Sequence, residues 1–280
     1  MYDPPGYLWA ITIAGMITIP AATSVLLYAG AQRAGQGRAR AALLGAAAAI
    51  VLGGWFTASA VIAQHGWYHT QIGHGVPWMP VAVTGFLATL LALSQTPAVK
   101  RALTAPGMAS RTELPHTFRV FAGMAFLIAM ALGHLPALLA LPAGLGDIAT
   151  GIAAPLAARN IAHGTGRRAG LWLNAFGFTD LVNALTLGAL TGFQLVHVSP
   201  AATAILEFPL ALIPTAAVPL LLALHITNLR TLARAPRTAI PANAQPIAGA
   251  ESRAAGGHWP PGPVAGTLVP PGRAAEGTTP

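Results

Sequence analysis

The chain has 280 residues, of which only 8% are Asp, Glu, Lys or Arg and 54% are apolar. Soluble globular domains carry about 25% charged residues, so this composition excludes a soluble enzyme and predicts an integral membrane protein. The net charge of +8 would favour a nucleic-acid binder in a soluble chain, but in membrane proteins basic residues set orientation instead. The absence of cysteine excludes disulfides, thiol catalysis and any cysteine-based metal cluster.

Seven apolar stretches are long enough to cross a membrane, since a spanning helix needs about 20 residues. They cover residues 8–30, 41–64, 78–96, 117–135, 143–159, 170–192 and 203–227. The sequence therefore predicts an all-α fold, a polytopic bundle of seven transmembrane helices within a domain over residues 1–235.

The basic residues alternate between the two sides of this bundle. Thirteen of the fifteen Lys and Arg residues follow spans one, three, five and seven, and the N-terminus and the other three loops contain none. Because cytoplasmic loops are enriched in Lys and Arg, this pattern predicts an outside N-terminus and a cytoplasmic C-terminus. The abundance of Ala, Gly and Arg is typical of a GC-rich bacterial genome, which predicts a location in the bacterial cytoplasmic (inner) membrane.

Residues 236–280 differ in composition from the rest of the chain. They contain nine Pro and seven Gly and few large apolar residues, which predicts a disordered cytoplasmic tail. Trp259 and the neighbouring proline pairs suggest a docking motif for a cytoplasmic protein partner. A solvated tail without a defined role is the alternative.

Three of the seven acidic residues, Asp147, Asp180 and Glu207, fall in or at predicted spans. Ionisable residues within spans are costly and mark functional sites by default. Asp180 lies near mid-bilayer on a face of small residues, flanked by Asn174 and Asn183, and such faces pack against other membrane helices. Asp147 is placed nearer the outer end of span five, and Glu207 one turn into span seven. A packing or capping carboxylate is the alternative role for each acid.

Several histidines are placed toward the outer face, and four of them form a weak candidate metal site: His65, His69, His134 and His197. Imidazole and carboxylate ligands suit transition metals, and a haem between helices would use similar residues. The alternative is a set of interfacial imidazoles within an aromatic belt. Retinal is excluded because it requires an intramembrane lysine, and the only lysine is Lys100 in a loop.

Four segments resemble motifs of a widespread group of bacterial multi-pass membrane proteins without an assigned activity. They are Arg119-Val-Phe-Ala-Gly, Leu141-Pro-Ala-Gly-Leu-Gly-Asp147, Asn174-Ala-Phe-Gly-Phe-Thr-Asp180-Leu and Phe208-Pro-Leu-Ala-Leu-Ile-Pro214. The resemblance covers about spans four to seven and implies a shared multi-helix membrane fold. It also implies that Asp147, Asp180 and Arg119 belong to the motif segments.

The preferred functional hypothesis is transport of a small solute or ion, coupled to protons through Asp180. Asp147 and Glu207 would line the outer access, and Arg119 would be a counter-charge near the inner surface. One alternative is a sensor or accessory subunit that signals to a cytoplasmic partner. The other is a metal- or haem-binding membrane protein.

Overall fold

A computed structural model describes residues 4–69 and 75–234, and every regular element within these ranges is helical. The α-helices are α1 (Gly6–Arg33), α2 (Arg38–Gln64), α3 (Trp78–Gln95), α4 (Pro97–Thr104), α5 (Met108–Arg111), α6 (Arg119–Ala131), α7 (Ala137–Ala162), α8 (Arg167–Gly192) and α9 (Val218–Arg234). Three short 3₁₀ segments (Trp67–His69, Leu114–Phe118 and Ala202–Leu206) and a π-helical segment (Ile213–Ala217) connect them. The predicted tail over 236–280, with Trp259, lies outside the described residues.

Six segments of the described chain are long and apolar enough to cross a membrane. They are Gly6–Arg33, Arg38–Gln64, Trp78–Gln95, Met108–Ala131, Ala137–Ala162 and Ile213–Arg234. These segments correspond to six of the seven predicted spans, and they identify the chain as a multi-helix protein of the membrane type. The all-helical architecture is thereby confirmed for the residues described.

The helix at the predicted sixth span, α8, is 26 residues long but is not among these six. Its polar residues, including Asn174, Asp180 and Asn183, lower its hydropathy relative to the other long helices. Asn174 is fully buried, and the side chain of Asp180 is only 8% exposed. Two polar side chains of α8, Asn174 and Asp180, are therefore packed against neighbouring helices.

The apolar segments at the fourth and seventh predicted spans differ from the predicted bounds. The fourth apolar segment begins at Met108 rather than at residue 117, because α5 and the 3₁₀ segment lead directly into α6. The seventh begins at Ile213 rather than at residue 203, because the chain from 202 to 212 forms a 3₁₀ segment and turns in place of a helix.

Proline causes the irregular start of the last span. Pro219 has no N–H, so the carbonyl of Thr215, four residues earlier, lacks its usual helical donor. The indole Nε1 of Trp55 donates to this carbonyl at 3.0 Å. The hydroxyl of Thr215 lies 2.6 Å from Ser59 Oγ, which in turn contacts the Tyr68 hydroxyl at 2.8 Å. The Trp55 side chain of α2 thus satisfies the interrupted backbone, as a buried broken helix requires.

The helices α6, α7, α8 and α9 pack in chain order, and glycines set how closely they approach. A Cβ at Gly123 of α6 would overlap the Gly144 carbonyl of α7 and come within 3.1 Å of Asp147 Cβ. Small residues at helix interfaces let membrane helices approach at backbone distance. This close packing brings polar side chains from different helices to one point in the bundle.

Candidate functional site

Arg119, the first residue of α6, is fully buried and binds two carboxylates. Its Nε donates to Asp147 Oδ1 on α7 at 2.7 Å, and its Nη2 donates to Asp180 Oδ2 on α8 at 2.5 Å. The carboxylate side chains are only 5% and 8% exposed. Three helices therefore meet at one guanidinium, and we call this group the Arg–Asp–Asp centre.

The two aspartates meet because each lies near the middle of its helix. Asp147 is the eleventh residue of the 26-residue α7, and Asp180 is the fourteenth of the equally long α8. The sequence placed Asp147 nearer the outer end, because it started the helix at residue 143 rather than at Ala137. Gly146 makes room for the contact, since a Cβ at this position would overlap the Asp180 carboxylate.

Arg119 also lies deeper than its predicted position at the start of a span. The apolar segment begins eleven residues earlier, at Met108, so Arg119 is central in Met108–Ala131. The preceding 3₁₀ segment places side chains three residues apart on one face. Glu113, His116 and Arg119 have this spacing, and all three are fully buried.

A chain of hydrogen bonds continues from the Arg–Asp–Asp centre to Glu113. Arg119 Nη1 lies 3.2 Å from His225 Nε2 on α9, and His225 Nδ1 lies 2.9 Å from Asn174 Oδ1 on α8. Asn174 Nδ2 donates to Glu113 Oε1 at 2.5 Å, and Asn228 Nδ2 donates to the same oxygen at 2.7 Å. The network therefore joins all four of the helices α6 to α9 and the segment before them.

The chemistry of arginine fixes the direction of this chain. A guanidinium donates hydrogen bonds and accepts none, so His225 Nε2 must be the acceptor. His225 then carries its proton on Nδ1 and donates it to Asn174 Oδ1. Asn174 in turn uses its amide nitrogen for Glu113 and for the Gly170 carbonyl, the latter at 2.8 Å. Each hydrogen bond in the chain thus has a defined donor and a defined acceptor.

His116 packs beside this chain without joining it. Its ring stacks on the ring of His225, with centroids 3.8 Å apart and planes 15° apart. Within the described part of the chain, neither ring nitrogen of His116 has a hydrogen-bond partner, and the same is true of Glu113 Oε2 and Thr150 Oγ1. Buried polar atoms of this kind are uncommon and need a specific explanation.

Charge is unbalanced at the Arg–Asp–Asp centre. If both aspartates are ionised, two negative charges share one positive charge, so the centre carries a net charge of −1. An uncompensated charge in a low-dielectric interior is costly. A proton on one carboxylate or a bound cation would balance the centre.

A cavity of about 430 Å³ lies beside Asp147, between α3, α6, α7, α8, the start of α9, the 3₁₀ segment Ala202–Leu206 and the π-helical segment. Its lining is mainly apolar and includes Phe126, Leu181 and Pro214, and Asp147 is the one charged residue among the described residues that line it. Binding pockets for small molecules are typically apolar with a few placed polar groups and have this order of volume.

Not all predicted site residues join the network. Asn183 is exposed on α8. Glu207 is apart from the centre, and its Oε1 lies 3.8 Å from His69 Nε2, with both side chains about one-third exposed. His65 and His197 are exposed, and His134 is partly buried. Within residues 4–69 and 75–234, no group of three or more His, Cys, Asp or Glu residues could hold a metal ion.

The sequence analysis missed three members of the network, Glu113, His225 and Asn228, and also His116, which stacks on His225. Glu113 and His116 were assigned to a loop because the fourth span was started too late. The three-residue spacing of Glu113, His116 and Arg119 was the feature of the sequence that could have indicated a shared face. His225 and Asn228 share the same spacing on α9 and lie within the last apolar segment.

Comparison with known proteins defines the family of this chain. A family model described as a domain of unknown function, DUF8737, matches residues 76–233. This range is more than half of the chain and contains the entire polar network, so the protein belongs to this family. Neither the curated proteins nor the solved structures include a match to the chain.

Proposed function

We propose that this protein is a multi-pass transporter of the bacterial cytoplasmic membrane that couples passage of a small solute or ion to protonation at the Arg–Asp–Asp centre. The observation that carries the proposal is the contact of both Asp147 and Asp180 with the buried Arg119. Intramembrane ionisable groups of this kind mark ion and proton pathways in transporters.

The charge imbalance of the centre supports coupling. The negative charge that Arg119 does not neutralise requires either a proton or a cation. When one species leaves, the other must replace it or the centre must rearrange, and this requirement links proton movement to solute movement. The hydrogen-bonded chain through His225 and Asn174 to Glu113 is a route by which the protonation state of the centre is linked to a third carboxylate.

The cavity beside Asp147 is the proposed solute site. It is bounded partly by Ile213 and Pro214, where the last span is irregular. Transporter binding sites typically lie near the bilayer midplane beside interrupted helices. The apolar walls favour a small solute with substantial apolar surface, and Asp147 supplies the polar contact.

The proposal includes seven spans, with α8 as the sixth. A helix of 26 residues is about 39 Å long, which exceeds the roughly 30 Å hydrocarbon core. Burial of Asn174 and Asp180 against α6, α7 and α9 reduces the cost of placing α8 in the membrane. With this span included, the basic loops all fall on one side, and the positive-inside rule then places the N-terminus outside and the C-terminus in the cytoplasm.

Filling the cavity tests the proposed solute site. The full chain is reconstituted in proteoliposomes, and uptake of a panel of amines, amino acids, sugars and organic acids is recorded under an imposed pH gradient. We expect uptake of at least one class above that of protein-free vesicles, and we expect Ala184→Trp, in the cavity wall, to abolish it. Val182→Trp is the matched control, because Val182 is 41% exposed on the same helix. Equal uptake by wild type and Ala184→Trp would contradict the proposed site.

A further inference from the structure

A basic pocket of about 380 Å³ lies where the C-terminal ends of α3 and α9 meet α4. Lys100 of α4 and Arg230 and Arg234 of α9 contribute three positive charges to its lining, and no acidic residue is among its described lining residues. Arg230 and Arg234 are four residues apart and thus share one face of α9. All three basic residues are exposed, so a ligand can reach them. The pocket is concave and positively charged, which favours an anionic ligand.

The pocket attracts this anion by charge rather than by a fixed set of hydrogen bonds. Its remaining polar lining includes four hydroxyl side chains, Ser94, Thr104, Thr227 and Thr231. Each hydroxyl donates its proton to a carbonyl of its own helix, at distances of 2.6 to 2.9 Å. The three basic side chains therefore provide the binding, and the pocket should distinguish anionic from zwitterionic ligands without selecting one anion by shape.

An apolar groove of about 160 Å³ continues from the basic pocket into the bundle. The groove and the pocket share Ser94, Leu103 and Thr227 in their linings. The rest of the groove is mainly aliphatic and is contributed by α1, α2, α3 and α9, with Leu44, Leu90 and Leu220 among its residues. An apolar cavity of about 150 Å³ holds a benzene-sized ligand, so this groove admits part of a hydrocarbon chain.

We infer that the pocket and the groove together bind one anionic phospholipid. The phosphate would lie among Lys100, Arg230 and Arg234, and one acyl chain would enter the groove. A basic pocket between membrane helices is suited to lipid headgroups, and the contiguous apolar groove distinguishes a lipid from a free phosphate ion. This site is separate from the Arg–Asp–Asp centre, and the inference does not depend on transport.

Native mass spectrometry of the full chain, released from nanodiscs of stated lipid content, tests this inference. With phosphatidylglycerol present, we expect the wild type to retain one lipid molecule, and with phosphatidylcholine alone to retain none. The triple variant Lys100→Gln/Arg230→Gln/Arg234→Gln should bind phosphatidylglycerol about a hundredfold more weakly, since each basic residue near the surface contributes a factor of about five. The matched control, Arg38→Gln/Arg40→Gln/Arg168→Gln, removes three exposed charges outside the pocket and should retain the lipid.

A second variant distinguishes a lipid from free phosphate. Ala47 is exposed and lines the apolar groove, so Ala47→Phe should release the lipid while the basic pocket remains intact. Retention of the lipid by the pocket triple variant would overturn the inference, and so would equal loss in the control triple variant. Retention by Ala47→Phe, together with displacement of the lipid by inorganic phosphate alone, would identify the pocket as a phosphate site instead.

Discussion

Arg119 is the residue on which the polar interior of this protein depends. Its guanidinium contacts Asp147, Asp180, His225 and the Gly177 carbonyl, and it is fully buried. Arginine suits this position because its planar group binds several acceptors at once and remains charged when buried. The residue therefore holds α6, α7, α8 and α9 in a single arrangement of charges.

Removing the charge of Arg119 should destabilise the fold. Arg119→Gln would leave two buried carboxylates without a cation, and breaking a buried ion pair in this way costs about 3–5 kcal/mol. We expect this loss in the free energy of unfolding, measured in detergent. The triple variant Arg119→Gln/Asp147→Asn/Asp180→Asn should recover most of it, because no buried charge then remains unpaired. A single variant as stable as the wild type would show that the ion pairs do not form.

At this scale the sequence identified Asp147 and Asp180 as carboxylates within apolar segments and named Arg119 as a counter-charge, but it did not predict that all three are in contact. Asp147 and Asp180 were visible because a carboxylate in an apolar segment is rare. The contact with Arg119 was not predicted, because Arg119 was placed near the inner surface and the depth of each residue depends on where its helix begins. An error of six residues in the start of α7 moves Asp147 by about 9 Å along the helix axis, which is enough to separate two groups that are in contact.

At the scale of elements, α8 combines membrane length with unusual polarity. Six other segments are apolar enough to be recognised by hydropathy alone, and their approximate positions followed from the sequence. The start of the last segment did not, because the sequence predicted a continuous span from residue 203. Here the chain instead forms turns and a π-helical segment up to Ala217, and the partners that satisfy it come from α2, which is distant in sequence.

Site-directed labelling tests whether α8 crosses the membrane. The chain contains no cysteine, so a single introduced thiol reports its own side of the membrane. Thr165 and His197 are exposed residues beyond opposite ends of α8. We expect a membrane-impermeant maleimide to label His197→Cys in intact cells, and Thr165→Cys only after permeabilisation. Labelling of both from the same side would exclude α8 as a span.

At the scale of the whole molecule, most charged residues of the described chain fall into two populations. The proposed orientation depends on the exposed basic residues, and Lys100 of α4 with Arg230 and Arg234 of α9 also line the proposed lipid pocket. The buried charges, Arg119 with Asp147, Asp180 and Glu113, form one network inside the bundle. Composition predicted a membrane protein with few charges. The cavity beside Asp147 depends on how seven elements pack, so it could not be predicted from residue spacing within any one of them.

The central claim is that protonation at the Arg–Asp–Asp centre is coupled to solute movement. The most direct measurement is the change in internal pH of proteoliposomes when a transported solute is added, with wild type and Asp180→Asn compared at equal protein content. We expect solute-driven proton movement in the wild type and its loss in Asp180→Asn, since the amide cannot exchange a proton. Thr179→Val, on the exposed face of α8, should behave as the wild type. Proton movement at the wild-type rate in Asp180→Asn would contradict the account.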